Sequence, residues 1–195
     1  MSANEWRRER GYELLPEFGT YTDHMSSIVL LAINTGLRRG EPLQLNWDDV
    51  DLERAIVTVR GECAKSGKTR HVPLNTEAVR VLREWRPVDR RGLVFPSEDG
   101  EQMNDLKTAW LRIAKLAKLR AFRFHDLRHT FASKLVQRGV DLNTVRELLG
   151  HSDFSLTLRY AHLAAENEAA AVAKLMEARA EPAAPAQPIA RANSA

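Results

Sequence analysis

The chain has 195 residues, of which 44% are hydrophobic and 28% are charged. This length fits one ordinary domain, and the composition is globular, which excludes collagen-like, low-complexity and wholly disordered chains. The 29 Lys and Arg residues outnumber the 26 Asp and Glu residues by only three, so the net charge alone identifies no partner.

Residues 1–20 mix aromatic, charged and proline residues and are expected to form an irregular lead-in. Charged residues precede any apolar stretch, which is not the pattern of a secretory signal, so we expect a cytoplasmic protein. The first predicted helix begins after Asp23, whose side chain can cap it, and ends at Gly36, which suits a left-handed terminal position. Its apolar run, Ile28 to Ile33, is too short to cross a bilayer, so no membrane partner is expected.

A small antiparallel sheet is predicted next. Residues Ile56 to Val59 are typical of one strand, and Arg70 to Leu74 indicate a second. The intervening GECAKSGKT, with its glycines and lysines, is typical of a hairpin tip. It contains the only cysteine, Cys63, which excludes an internal disulfide and disfavours redox chemistry.

The rest of the chain is predicted to be mostly helical. Asn75 caps a helix that Pro87 ends, Gly92 to Phe95 adds a short strand, and Asn104 opens a third helix. Two further helices are predicted from the spacing of apolar residues, which places Leu127, Phe131 and Leu135 on one face and Leu142, Val145 and Leu149 on another; the second of these helices ends at Gly150. The last two predicted helices run from Phe154 to Ala161 and from Ala164 to Ala178. Residues 181–195, rich in Pro and Ala, are predicted to be a disordered tail. The fold class is therefore α+β, mainly helical, with one small antiparallel sheet.

The segment from Lys107 to Arg128 is strongly basic. It carries seven basic residues against one acid, Asp126. A local excess of this kind attracts a polyanion, because neutralising phosphates releases their condensed counterions. A solvated basic helix face is the alternative, and charge alone does not separate the two.

The stretch FRFHDLRHTFAS has the features of an anion site. His125 and Arg128 are three residues apart, hence on one side of a helix near its N-terminus, where anions bind well. His125 and His129 are also spaced as a metal pair, but a zinc site would need a third ligand and the HExxH glutamate is missing. A purely structural cluster is the other alternative. We expect neither a metal nor a cofactor.

A second candidate corner is LLGHSDFSLTLRYAH. His151 follows the predicted helix end at Gly150, and Tyr160 lies nine residues further on. A tyrosine with a normal pKa near ~10 is a poor nucleophile unless cations stabilise its phenolate or a base removes its proton. A structural tyrosine is the alternative, and this pairing alone is weak.

Four stretches together resemble the tyrosine recombinase family, which includes the phage integrases. They occur in the order INTGLRRGEPLQLNW, AKSGKTRHVPL, HDLRHTFAS and LLGHSDFSLTLRY, and cover roughly Thr35 to Tyr160. The resemblance implies a catalytic domain over residues 21–180. The catalytic residues that it implies are Arg38, Lys65, His125, Arg128, His151 and Tyr160. It further implies that Glu41 orients Arg38, that Arg39 faces solvent or the DNA backbone, that Lys68 lies outside the catalytic set, and that His129 is a supporting residue.

The activity implied by the resemblance is site-specific cleavage and rejoining of DNA through a 3′-phosphotyrosyl intermediate. Tyr160 would attack a phosphodiester, Arg38 and Arg128 would hold its oxygens, and Lys65 would protonate the leaving 5′-oxygen, while His125 and His151 supply hydrogen bonds and proton handling. The implied partner is double-stranded DNA, bound by a homotetramer, with a monomer as the alternative in solution. A DNA-binding module that does not cleave and a type IB topoisomerase are the alternative functions.

Overall fold

The computed structural model describes residues 11, 23–64, 67–85, 91–97, 99–164 and 172. Its helices are α1 (His24–Thr35), α2 (Thr76–Trp85), α3 (Lys107–Leu116), α4 (Asp126–Gln137), α5 (Leu142–Leu149) and α6 (Ser155–Leu158), and its strands are β1 (Val50–Asp51), β2 (Ile56–Val59) and β3 (Arg70–Pro73). The mainly helical α+β class with a small antiparallel sheet is confirmed. Several predicted features lie outside the described residues: Lys65, Pro87, the tail, and nearly all of the lead-in and of the helix from Ala164 to Ala178.

Helix α1 begins and ends where its caps predict. The Asp23 carboxylate accepts hydrogen bonds from the backbone N–H of Met25 at 2.8 Å and of Ser26 at 3.2 Å. Gly36 adopts a left-handed φ of 67°, and a Cβ there would lie 2.5 Å from the ring of Phe131 on α4. Glycine at this position therefore allows the end of α1 to pack against α4.

The sheet has the strand order β1-β2-β3, with antiparallel neighbours. Val57 pairs with both Val50 and Val72, and the valines at 57 and 72 are completely buried. Strand β3 ends at Pro73, one residue before the predicted end. Its alternation buries Arg70 and Val72 on the same side, so the strand that follows the hairpin directs an arginine into the protein.

Three predicted elements differ in the structure. Helix α3 begins at Lys107 rather than at Asn104, because the Asp105 carboxylate accepts from the N–H of Leu106 at 2.7 Å and of Lys107 at 3.1 Å. Residues 92–95 form no strand, since they pair with residues 45–47 only through one isolated bridge. Helix α6 is confined to Ser155–Leu158 because the chain tightens into a 3₁₀-type turn before the next segment, Ala161–Leu163.

Two buried clusters meet at α1. The larger one joins α1, the sheet, α2 and α3, and the smaller one joins α4, α5 and Tyr160. Helix α1 packs against both α2 and α4. The loop after α1 therefore lies beside the start of α4 and the end of α5. Among the described helices, none is both long and apolar enough to span a membrane.

Candidate active site

A cavity of about 350 Å³ lies where these three segments meet. Its lining residues are Arg38, His125, Arg128, His129, His151, Ser152, Leu156, Arg159 and Tyr160. Five of the six predicted catalytic residues are in this set, although they come from parts of the chain more than 100 residues apart. The sixth, Lys65, lies outside the described residues.

The two arginines are held by backbone carbonyls at helix C-termini. Arg128, only 2% exposed, donates to the Gly36 carbonyl at 2.6 Å and to the Leu149 carbonyl. Arg38 donates to the Gly150 carbonyl at 3.1 Å. Carbonyl groups at helix ends carry partial negative charge and attract cations. The ends of α1 and α5 thus bring two guanidinium groups to one wall of the cavity.

Glu41 joins Arg38 to an arginine that the sequence did not identify. Its buried carboxylate accepts from the Arg38 backbone N–H at 2.7 Å and from Arg38 Nη1 at 3.2 Å, as the resemblance implied. It also accepts from Arg70 Nη1 at 3.0 Å and Nη2 at 2.6 Å. Burial by itself raises the pKa of Glu41, but hydrogen bonds and charge from Arg70, followed by those from Arg38, outweigh it and lower the pKa. Glu41 is therefore ionised at neutral pH.

The sequence contains a pattern from which the burial of Arg70 could have been predicted. It stands two residues before Val72 in a strand, so a buried Val72 requires a buried Arg70. A buried guanidinium needs an acid partner, and Glu41 is an acid in the adjoining motif. Arg70 also donates from Nε to the Leu148 carbonyl at 3.2 Å, which links β3 to the end of α5.

The histidines of the cavity are held in the neutral form. Burial, followed by the charges of Arg128 and Arg38, lowers the pKa of His151 to about 4. Its Nδ1 lies 2.9 Å from the Thr157 hydroxyl. The pKa of His125 is also lowered, first by burial and then by His129 and Arg128. Both imidazoles can therefore donate one hydrogen bond and accept another at neutral pH.

Tyr160 lies at the edge of the cavity and is 5% exposed. Its hydroxyl is 2.6 Å from Nδ1 of His129. Burial raises the pKa of Tyr160, although the charges of Arg128 and Arg159 oppose the rise. The resemblance gave His129 a supporting role, but this residue contacts the nucleophile predicted from the sequence. Its position one helical turn after His125 was the available signal.

The two basic residues excluded from the predicted set do not line this cavity. Arg39 pairs with Asp105 at 3.1 Å, and about half of its side chain is exposed. Lys68 is exposed in a separate cleft beside β3. Among the described residues, no group of three or more His, Cys, Asp and Glu side chains is arranged to hold a metal ion.

A larger groove of about 960 Å³ adjoins His125 along α3. Trp110, Phe122 and Phe124 form its apolar floor, and its basic lining residues are Arg39, Lys107, Lys115 and Arg123. The groove is therefore largely apolar, and part of the basic segment predicted from the sequence lines it next to the cavity.

The sequence matches a protein family over most of its length. Residues 17–167 match the model of the Phage integrase family. The integrase of Salmonella phage P22 is 37% identical over 154 residues, which cover 72% of this chain and 39% of that protein. Tyrosine recombinase XerC of Xanthomonas campestris pv. campestris (strain B100) is 40% identical over 146 residues, covering 70% of this chain and 44% of XerC. The chain thus spans less than half of these relatives.

The fold is similar to those of solved integrases and recombinases. The catalytic domain of bacteriophage HP1 integrase aligns with a TM-score of 0.63 and 29% identity, over 84% of this chain and 86% of that domain. XerA recombinase aligns with a TM-score of 0.60 and 28% identity, over 82% and 58% of the two chains. XerH bound to its difH substrate before cleavage aligns with a TM-score of 0.58 and 27% identity, over 92% and 47%.

Proposed function

Because the chain belongs to the phage integrase family of tyrosine recombinases, we propose that it cleaves and rejoins DNA at specific sites through a bond between Tyr160 and a DNA 3′-phosphate. One observation carries the proposal. Tyr160, three histidines and three arginines, among them Arg38 and Arg128, line one cavity that is large enough for a phosphodiester. Residues 21–180 are the proposed catalytic domain.

The arginines are suited to binding the reacting phosphate. Their bonds to Glu41 and to the carbonyls of residues 36, 149 and 150 use two of the five N–H donors of each guanidinium. The remaining donors can bind the two non-bridging oxygens, on which negative charge develops in the transition state. Donors fixed in advance stabilise that charge without reorganisation during the reaction. Burial lowers the pKa of Arg128 to about 9, so it remains charged at neutral pH.

Cleavage then proceeds as a transfer between two ester bonds. The Tyr160 oxygen attacks phosphorus in line, the bond from phosphorus to the 5′-oxygen breaks, and Lys65 protonates that oxygen. His125 and His151 hydrogen-bond to the phosphate. The phosphotyrosyl bond conserves the energy of the broken ester, so a 5′-hydroxyl can reverse the step, and neither a nucleotide cofactor nor a metal is required.

Duplex DNA is the proposed partner. The groove along α3 lies next to the cavity and is lined in part by Lys107 and Lys115, whose side chains can contact a phosphate backbone. The related XerH was solved on its difH substrate. Exchange between two duplexes needs four cleavage sites, so we propose a homotetramer on DNA, and the cytoplasm as its location. The matched relatives are integrases and recombinases, so neither the non-cleaving module nor the topoisomerase alternative is favoured.

Covalent capture tests the proposal without knowledge of the target site. A randomised library of nicked duplexes is incubated with the chain, protein–DNA adducts are isolated under denaturing conditions, and the attached DNA is sequenced. We expect adducts enriched in one sequence, absent for Tyr160→Phe. DNA binding without adducts would support the non-cleaving module, and adducts without sequence enrichment would support the topoisomerase alternative.

A further inference from the structure

His129 occupies a position for which the proposed mechanism assigns no role. Of the three histidines that line the cavity, it is the one in hydrogen-bond contact with the Tyr160 hydroxyl, at 2.6 Å. His151 directs its Nδ1 to Thr157, and His125 contacts the His129 ring edge to face, with 4.9 Å between the ring centres. The group that touches the attacking oxygen is therefore His129.

We propose that His129 is the general base that removes the phenolic proton of Tyr160 during DNA cleavage. The inference rests on the proposed function of the same site. As the Tyr160 oxygen bonds to phosphorus, its proton passes to Nδ1 of His129, and the 5′-oxygen leaves with a proton from Lys65. In rejoining, a 5′-hydroxyl attacks the phosphotyrosine and gives its proton to the neutral amine of Lys65. The imidazolium of His129 returns its proton to the departing Tyr160 oxygen.

The surroundings of His129 favour this role. A base must be neutral before the reaction, and burial, followed by the charge of Arg159, lowers the pKa of His129, with Arg123 and Arg128 acting in the same direction and Asp126 opposing them. The tautomer that accepts from Tyr160 carries its proton on Nε2. The same burial keeps Tyr160 protonated, so an attacking phenolate has to be generated at the moment of attack.

The backbone holds the base close to the phosphate-binding arginine. His129 follows Arg128 directly in the first turn of α4, and Arg128 is fixed by two carbonyls. Tyr160 immediately precedes the 3₁₀ segment Ala161–Leu163, which packs against α4. Nucleophile, base and phosphate-binding group are thus positioned together before DNA binds, which lowers the entropic cost of reaching the transition state.

Two substitutions separate a base from a hydrogen-bonding support. His129→Asn keeps an oxygen that can accept from Tyr160 near the Nδ1 position, but it cannot take a proton. We expect His129→Asn and His129→Ala to slow cleavage of the captured duplex alike, by about 10²–10⁴-fold, the usual contribution of a general base. His162→Asn, an exposed histidine two residues after Tyr160, is the matched control. Near-wild-type cleavage by His129→Asn would overturn the proposal.

A substrate with a changed leaving group shows which of the two proton transfers each variant has lost. A duplex with sulfur in place of the bridging 5′-oxygen needs no proton on its leaving group. It should restore cleavage to Lys65→Ala but not to His129→Asn. Equal rescue of both variants would mean that His129 acts on the leaving group and would overturn the proposal.

Fluorination of the nucleophile provides a readout that a structural role would not change. The chain has three tyrosines, so in a Tyr12→Phe, Tyr21→Phe background 3-fluorotyrosine enters only at position 160 and lowers the pKa of that phenol. We expect it to accelerate cleavage by His129→Asn relative to its unfluorinated form, and not to accelerate the chain that retains His129. If fluorination does not accelerate cleavage by His129→Asn, the role of His129 as general base is wrong but the proposed function stands. If the unaltered chain forms no adduct, the proposed function is wrong as well.

Discussion

Glu41 and Arg70 form a two-bonded ion pair in the interior of the protein, with nitrogen–oxygen distances of 2.6 and 3.0 Å. The two side chains are only 2% and 8% exposed. Arg70 begins the strand that follows the predicted Lys65 hairpin, and Glu41 also holds Arg38. The pair thus connects the base of the hairpin to an arginine of the proposed phosphate site.

Removing Arg70 should destabilise the fold. Arg70→Met leaves the Glu41 charge buried with only Arg38 beside it, and loss of one partner of a buried pair costs about 3–5 kcal/mol of unfolding free energy. Urea denaturation measures the loss. Arg80→Met, which breaks exposed pairs with Glu77 and Glu84, is the control and should have a far smaller effect. Adding Glu41→Gln to Arg70→Met should restore part of the stability, and equal losses for Arg70→Met and Arg80→Met would contradict the prediction.

Tyr160→Phe should remove the covalent adduct and leave DNA affinity unchanged. The substitution deletes one oxygen and its bond to His129, a contribution of about 0.5–1.5 kcal/mol to stability. Thermal unfolding and a DNA-binding titration measure the two quantities. Mass spectrometry of the adduct of the unaltered chain should place the nucleotide on Tyr160; a nucleotide on Tyr12 or Tyr21 would disprove the assignment.

Lys65→Ala should slow cleavage of an ordinary phosphodiester by about 10²–10⁴-fold, the usual effect of losing a general acid. Its rate on the duplex with the bridging 5′-sulfur should approach that of the unaltered chain. Lys68→Ala, on the same hairpin, is the matched control and should affect chemistry little. An equal defect of Lys65→Ala on both substrates would assign Lys65 to DNA binding instead.

The protein should lose stability as the pH falls below neutral. In the folded state the pKa of His151 is lowered to about 4, whereas in the unfolded chain it is near its ordinary value of 6.5. Between these values the unfolded state binds more protons. The contribution of His151 to the free energy of unfolding is therefore fully present above about pH 6.5 and is lost as the pH falls towards 4. His125 and His129 act in the same direction. Urea denaturation at pH 7.5 and pH 5 measures the decline, which should be smaller in His151→Gln; an unchanged decline would exclude His151 as a contributor.

Cleavage should persist in a chelator. The proposed site neutralises the phosphate with Arg38, Arg128 and Lys65, so no Lewis acid is required. Adduct formation on the captured duplex, with and without EDTA, measures this directly. Loss of activity in EDTA and recovery with Zn²⁺ or Mg²⁺ would instead support a metal site at His125 and His129.

The amino-acid sequence by itself determined the features that depend on neighbouring residues. Asp23 and Gly36 predict both ends of α1, because a capping side chain and a left-handed terminal residue act within a few positions of the helix. The start of α3 was misplaced, because the carboxylate of Asp105, rather than the side chain of Asn104, accepts hydrogen bonds from the N–H groups of Leu106 and Lys107. The family motifs identified five residues that the fold brings to one cavity.

Only the tertiary structure decided which of these side chains touch. Tyr160 and His129 are 31 positions apart, Arg70 and Glu41 are 29 apart, and Arg128 and Gly36 are 92 apart. No local rule relates such positions, because each contact requires two elements to pack at a particular distance and orientation. The packing of α1 against α4, and of Tyr160 with α4 and α5, supplies that geometry. It is this packing that places His129, rather than the histidines of the predicted set, against the Tyr160 hydroxyl.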